Sequence, residues 1–135
     1  MRRLIFLSCF LISVIGLSAQ GVNFVDYSFE EAKTVASREG KFIFVDVYTT
    51  WCGPCRRMSR EVFTNDTVAG YFNTNYICLK LDAENEREHG FFKAYVPSAY
   101  PSFYWLTAQG DLLASQSGYM APTALLSVSV AALPI

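Results

Sequence analysis

The sequence has little of what a metal site or a nucleic-acid surface requires. It contains one histidine and four cysteines, and two of the cysteines form its single Cys-x-x-Cys motif. A tetrahedral zinc site at that pair would need Cys78 and His89 as its other ligands. Cys78 lies in an apolar run and His89 in a charged stretch. Eleven basic residues against twelve acidic ones leave no excess of positive charge, which a nucleic-acid surface would need. No metal, other cofactor or nucleic acid is therefore expected.

The chain also lacks an apolar run long enough to cross a membrane. Two arginines precede the apolar stretch Leu4 to Leu17, which is about 14 residues long, whereas a spanning helix needs about 20. Small residues follow, ending at Ala19. This pattern predicts that residues 1–19 are a signal peptide cleaved after Ala19. A retained anchor is the alternative, and lipid attachment at Cys9 is a weaker one. Export would place the protein in the periplasm of a Gram-negative cell.

Cleavage would leave residues 20–135, the length of one domain. Cys52, Cys55 and Cys78 would remain. Three is an odd number, so at least one thiol stays free or pairs outside the chain. Cys78 is expected to be a small buried apolar residue, with a regulatory thiol as the alternative.

Hydrophobic patterning predicts alternating helices and strands. Ser28 can cap the first helix and Gly40 follows its end, and a continuous apolar run then predicts a central strand. This order predicts an α/β fold with a mixed central sheet and helices on both faces. The predicted helices are Ser28–Glu39, Pro54–Phe63, Val68–Phe72, Glu84–Tyr95 and Pro122–Leu133, and the predicted strands are Lys41–Tyr48, Asn75–Asp82, Ser102–Leu106 and Leu112–Gln116.

The segment Cys52-Gly53-Pro54-Cys55 admits three interpretations, namely a structural disulfide, half of a zinc site and a redox pair. A disulfide across so short a loop removes little chain entropy. A strand before the pair and a helix after it would place Cys52 at a helix N-terminus, where the thiolate is favoured. Thiolates are the species that attack disulfides. The sequence therefore indicates a redox pair, with Cys52 as the attacking thiol and Cys55 as the resolving thiol.

Two segments carry a family resemblance. FIFVDVYTTWCGPCRRM resembles the active-site segment of thioredoxins, and AYPSFYWL resembles their cis-proline segment, with Pro101 as the proline and Pro97 as the alternative. Within the family, the chain resembles the exported thioredoxin-like proteins of Gram-negative bacteria and the C-terminal domain of the membrane thiol:disulfide interchange protein. The resemblance implies a thioredoxin fold and dithiol–disulfide exchange on protein substrates.

The same resemblance gives Asp46 a role, because it falls six residues before Cys52, where thioredoxins have a buried acid. Burial raises the pKa of a carboxyl group. Such a group can take a proton from Cys55 as the mixed disulfide resolves. A carboxylate that faces water, or that caps a helix, is the alternative.

Five residues are expected to bind substrate. Trp51 would cover the disulfide and offer an apolar contact to partners, unless it only packs in the core. Pro101 would present neighbouring backbone to a bound peptide, with Tyr100 touching substrate beside it. Gly53 and Pro54 bring no positive charge to the pair, which points to a reductant, because a histidine there would make the disulfide more oxidising.

A periplasmic reductant would need a membrane thiol electron carrier to recharge it, and a monomer is expected. The alternatives are a disulfide oxidase or isomerase, and a non-catalytic peptide-binding or chaperone module on the same fold. Arg56, Arg57 and Arg60 follow the pair. They are interpreted as a solvated helix face. The alternatives are that they steer acidic partners or lower the pKa of Cys52.

Overall fold

A computed structural model describes residues 20–85 and 89–135 of the chain. The predicted signal peptide and part of the predicted helix over Glu84–Tyr95 lie outside the described residues. The described helices are α1 Phe29–Glu39, α2 Gly53–Arg57, α3 Asp66–Asn75, α4 His89–Ala94 and α5 Pro122–Ala132, and the strands are β1 Phe42–Tyr48, β2 Tyr76–Asp82, β3 Ser102–Leu106 and β4 Leu112–Ser117.

The four strands form one mixed sheet in the order β2-β1-β3-β4. β1 pairs in parallel with β2 and antiparallel with β3, and β4 adds antiparallel to β3. Five consecutive buried residues in β1 explain its central place, since a strand covered on both faces reads as a continuous apolar run. Before α1, Phe24 makes an isolated parallel bridge to Cys78.

Helices cover both faces of the sheet, as predicted. One core cluster joins Ala32 and Ala36 of α1 to Val45 of β1 and Phe91 of α4. The other lies around Phe44, whose ring contacts five aromatic neighbours. This second cluster contains α3, α5 and the segment after α2. The mixed sheet between two layers of helices agrees with the thioredoxin fold that the family resemblance implies.

Local signals explain how the helices begin and end. Ser28 and Glu31 form a capping box at the start of α1, which satisfies two free backbone donors. Gly40 ends α1 with φ 66°, a left-handed conformation that favours glycine. Asn65 caps α3 by accepting from the backbone N–H groups of Thr67 and Val68. That cap starts α3 earlier than the predicted turn at Val68.

The predicted helix over Pro54–Phe63 is present, but its hydrogen-bonding pattern changes from α-helical to π-helical. After α2, the segment Met58–Val62 is a π-helical turn, in which the N–H of Phe63 donates to the carbonyl of Met58 over 2.9 Å. Such turns occur mostly inside α-helices and often near functional sites. Among the described residues, no helix is long and apolar enough to cross a membrane.

Candidate active site

The cysteine pair lies where β1 gives way to α2. Cys52 is the N-cap residue of α2, and its Sγ accepts a hydrogen bond from the backbone N–H of Cys55 over 3.2 Å. Cys52 and Cys55 are joined by a disulfide, with their Cα atoms 5.3 Å apart. The predicted position of Cys52 at a helix start is therefore confirmed. A backbone N–H that points at this sulfur favours its thiolate when the disulfide is reduced.

Both cysteines are almost fully buried, while Trp51 beside them is 63% exposed. The indole N–H of Trp51 donates to Oε1 of Glu84 over 2.8 Å. Its ring meets the ring of Tyr100 edge to face at 5.9 Å between centroids. Trp51 is thus a fixed surface group and does not pack in the core. No sequence pattern pointed to Glu84, because its contact with Trp51 joins residues far apart in the chain.

The loop before β3 contains the cis-proline. The peptide bond between Tyr100 and Pro101 is cis, so Pro101 and not Pro97 holds that position among the described residues. The carbonyl of Pro101 accepts from the N–H of Gly118 over 2.8 Å. Ser102 donates to the carbonyl of Ala99 over 2.6 Å. These bonds fix the loop that carries Tyr100 and Pro101 next to Trp51.

Asp46 is fully buried in β1. Burial raises the pKa of its carboxyl group, and the nearby charge and hydrogen bond of Lys80 oppose that rise. Oδ2 of Asp46 lies 2.6 Å from Nζ of Lys80, and Nζ also donates to Oγ of Ser59 over 3.1 Å. The prediction of a buried acid with a raised pKa is confirmed, and the interpretation of a water-facing carboxylate is wrong.

Lys80 is the residue of the site that sequence reasoning missed. It lies directly across the parallel register from Asp46, on β2. A single lysine inside the apolar segment NYICLKLD was the available signal. Its pairing with Asp46 depends on the register between β1 and β2, which sequence patterns do not determine.

The three arginines after the pair have different surroundings. Arg57 pairs with Glu61 at 3.1 Å and lies 4.1 Å over the ring of Tyr119. Arg56 donates to the carbonyl of Thr50 over 3.1 Å. Arg57 therefore belongs to a neutralised surface cluster, whereas Arg56 and Arg60 have no carboxylate in ion-pair contact among the described residues.

Cys78 lies in β2, is 1% exposed and is a free thiol. Burial raises the pKa of this thiol strongly. It is the small buried apolar residue that the sequence predicted. Among the described side chains, no group of three or more histidine, cysteine or acidic residues could hold a metal ion.

A thioredoxin-like family model matches residues 24–106. The chain belongs to the thioredoxin-like family. It is similar to the solution structure of a candidate disulphide-isomerase from Bacteroides thetaiotaomicron, with 39% identity, a TM-score of 0.72 and coverage of 83% of this chain and 93% of that one. Thioredoxin-1 of Drosophila melanogaster is 31% identical over 64% of this chain and 75% of its own length.

Thiol:disulfide interchange protein DsbD 2 of Pseudomonas aeruginosa is 29% identical over 56% of this chain. The match spans only 13% of that relative's length. The family, the disulfide-bonded Cys-x-x-C pair and these relatives identify a thiol–disulfide oxidoreductase.

Proposed function

We propose that this thiol–disulfide oxidoreductase is an exported reductant of protein disulfides. The observation that carries the proposal is the environment of Cys52. Its sulfur accepts the backbone N–H of Cys55 at the start of α2, and the two residues between the cysteines, Gly53 and Pro54, add no charge. The backbone N–H of Cys55 stabilises the thiolate, and no charged residue separates the two cysteines. This suits a reducing pair better than a strongly oxidising one.

The reaction proceeds in two exchanges. The Cys52 thiolate attacks one sulfur of a substrate disulfide, forms a mixed disulfide and releases the other substrate sulfur as a thiolate. The Cys55 thiolate then attacks Sγ of Cys52, closes the Cys52–Cys55 disulfide and releases the second substrate thiolate. Two electrons pass from the protein to the substrate. The disulfide in the structure is the state that the protein reaches after the second exchange.

Asp46 and Lys80 serve the second exchange in this proposal. Cys55 is 3% exposed, so bulk water has little access to its proton. The pKa of Asp46 is raised by burial, which brings this acid closer to the range in which it can accept a proton at neutral pH. Lys80, at 2.6 Å, keeps that pKa from rising further and holds the carboxylate in place.

Substrate would bind across Trp51, Tyr100 and Pro101. The exposed indole offers an apolar surface beside the disulfide. The loop that carries Tyr100 and the cis-proline Pro101 is held beside Trp51 by the contact between the Tyr100 and Trp51 rings. We infer that an extended peptide pairs with the backbone of this loop. A monomer is enough for this mode of binding.

Export and recharging complete the proposal. Residues 1–19 have the composition of a signal peptide, and residues 20–135 would form the mature domain. An exported reductant needs an electron source, which we infer to be a membrane thiol carrier. Similarity to part of a thiol:disulfide interchange protein supports this inference.

An isomerase is the second candidate, favoured by the 39% identity to the Bacteroides protein. The reduction potential of the Cys52–Cys55 pair, measured by equilibration in glutathione buffers, separates the two. A value near about −270 mV supports a reductant, and one near about −120 mV or −180 mV contradicts it. A Cys55→Ser variant should trap substrates as mixed disulfides, whereas a matched Cys78→Ser variant should exchange normally.

A further inference from the structure

A cavity of about 360 Å³ opens beside the resolving cysteine. Its walls include Tyr48, Thr49, Cys55, Arg56, Arg60 and Lys80. Trp51, Tyr100 and Pro101 are not among its lining residues, so it is separate from the proposed substrate surface. Its volume is at the small end of the range for small-molecule sites, about 300–1,000 Å³.

The surface of this cavity is mostly apolar, and basic side chains contribute to its lining. Three cationic side chains line it, Arg56, Arg60 and Lys80, and no acidic side chain does. Lys80 is matched by the buried Asp46. Arg56 and Arg60 have no ion-pair partner among the described residues, unlike Arg57 next in sequence, which pairs with Glu61. Glu61 attracts Arg60 beyond ion-pair distance, but the lining itself contains three basic side chains and no acidic one. Such an excess of positive charge attracts anions.

One buried hydroxyl in the lining also lacks a partner. Thr49 is 2% exposed, and its Oγ1 makes no hydrogen bond within the described part of the chain. Leaving a buried hydroxyl without a hydrogen-bond partner is unfavourable. Because this hydroxyl is closed off from solvent, a ligand oxygen would accept its hydrogen bond only after the lining side chains shift, while the arginines neutralise the charge of the ligand. Guanidinium groups are suited to this because they bind carboxylates in a planar, paired geometry.

We propose that this cavity binds a small organic carboxylate with a flat, apolar body. The carboxylate contacts Arg56, Arg60 and Thr49, and the body packs against the Tyr48 ring and the aliphatic stems of the basic side chains. The occupant is a small molecule because 360 Å³ accommodates one ring and its substituent, not a folded segment of a partner.

Such a ligand would act on the chemistry of Cys55, a consequence that rests on the proposed function. The cations around the cavity favour the Cys55 thiolate, which performs the second exchange. A bound carboxylate offsets that charge. It therefore slows the closure of the Cys52–Cys55 disulfide and prolongs the mixed disulfide with substrate.

Three probes of nearly the same shape test the site, namely benzoate, benzamide and benzamidine. Each is titrated into the ¹⁵N-labelled oxidised protein and followed by NMR. Benzoate should shift the backbone amides of Thr49, Thr50, Arg56 and Arg60, and bind at least about tenfold more tightly than neutral benzamide. Benzamidine, a cation, should bind more weakly still. Equal affinity for benzoate and benzamide, shifts centred elsewhere, or no binding at all would overturn the site.

Variants supply the matched control. Arg56→Gln and Arg60→Gln should each weaken benzoate binding several-fold. Arg57→Gln, which removes the neighbouring arginine that is already paired with Glu61, should leave it unchanged. Equal losses in all three variants would mean that only overall charge matters, which overturns the assignment to this cavity.

A single-turnover assay of mixed-disulfide closure tests the consequence. Benzoate should slow closure several-fold in the wild-type protein and much less in Arg60→Gln. Normal exchange in a protein that binds no benzoate would overturn this inference alone. Benzoate binding to a protein that performs no exchange would overturn the proposed function alone.

Discussion

Nζ of Lys80 lies 2.6 Å from Oδ2 of Asp46, and that carboxyl group is fully buried. The two residues face each other across the parallel register of β1 and β2. The lysine is 27% exposed at its side chain and the aspartate not at all. Burial acts more strongly on the pKa of Asp46 than Lys80 does, so the pKa is raised. The pair therefore holds an acid that is costly to ionise in the place where the proposed mechanism needs one.

Replacing Asp46 by asparagine should stabilise the protein at neutral pH. The carboxyl group has a pKa of 3.8 when unperturbed, and this pKa is raised in the fold. Between those two values the folded state binds more protons than the unfolded state, so the group's contribution to stability falls as pH rises. The stability of Asp46→Asn relative to wild type should therefore increase from about pH 4 upward, and level off above the folded pKa. Urea unfolding of both proteins from pH 4 to 8 measures this. A difference that shrinks as pH rises would contradict the raised pKa.

Replacing Lys80 by methionine should have the opposite effect. The variant keeps the apolar stem but leaves the buried Asp46 without its counter-charge. Breaking a buried pair costs about 3–5 kcal/mol, and the partial exposure of Lys80 reduces the expected loss in unfolding free energy to about 1–3 kcal/mol. The double variant Asp46→Asn/Lys80→Met is the control, and it should recover most of that loss. If it is no more stable than Lys80→Met alone, the lysine stabilises the fold by packing and not by charge.

Glu84 should position Trp51 for substrate. Its Oε1 accepts the indole N–H over 2.8 Å, and both groups lie at the surface. Glu84→Ala should raise KM for a protein disulfide several-fold and move the Trp51 indole N–H signal in NMR spectra. Glu84→Gln keeps an acceptor oxygen, so its KM should be close to the wild-type value. Both variants should unfold within about 0.5 kcal/mol of wild type. A loss of stability without a change in KM would show that the bond is structural only.

The accuracy of sequence-based prediction differs between local and long-range features. The continuous apolar run of β1 and the Ser28 cap of α1 are local, and both are found where they were predicted. Asp46 could be placed because its spacing from Cys52 is a sequence property. Lys80 and Glu84 could not, because each meets its partner only after distant segments pack together.

Ser129 should contribute to stability through a buried hydrogen bond. Its Oγ accepts from the indole N–H of Trp105 over 3.0 Å and donates to the carbonyl of Leu125 over 2.7 Å, and Trp105 and Ser129 are fully buried. Ser129→Ala leaves the indole donor without this acceptor, which costs about 1–3 kcal/mol. The same change at Ser127, an exposed serine on α5, should alter stability by less than about 0.5 kcal/mol. Urea unfolding followed by the Trp105 fluorescence measures both. Equal stability of the two variants would mean that the bond contributes nothing to holding α5 against the sheet.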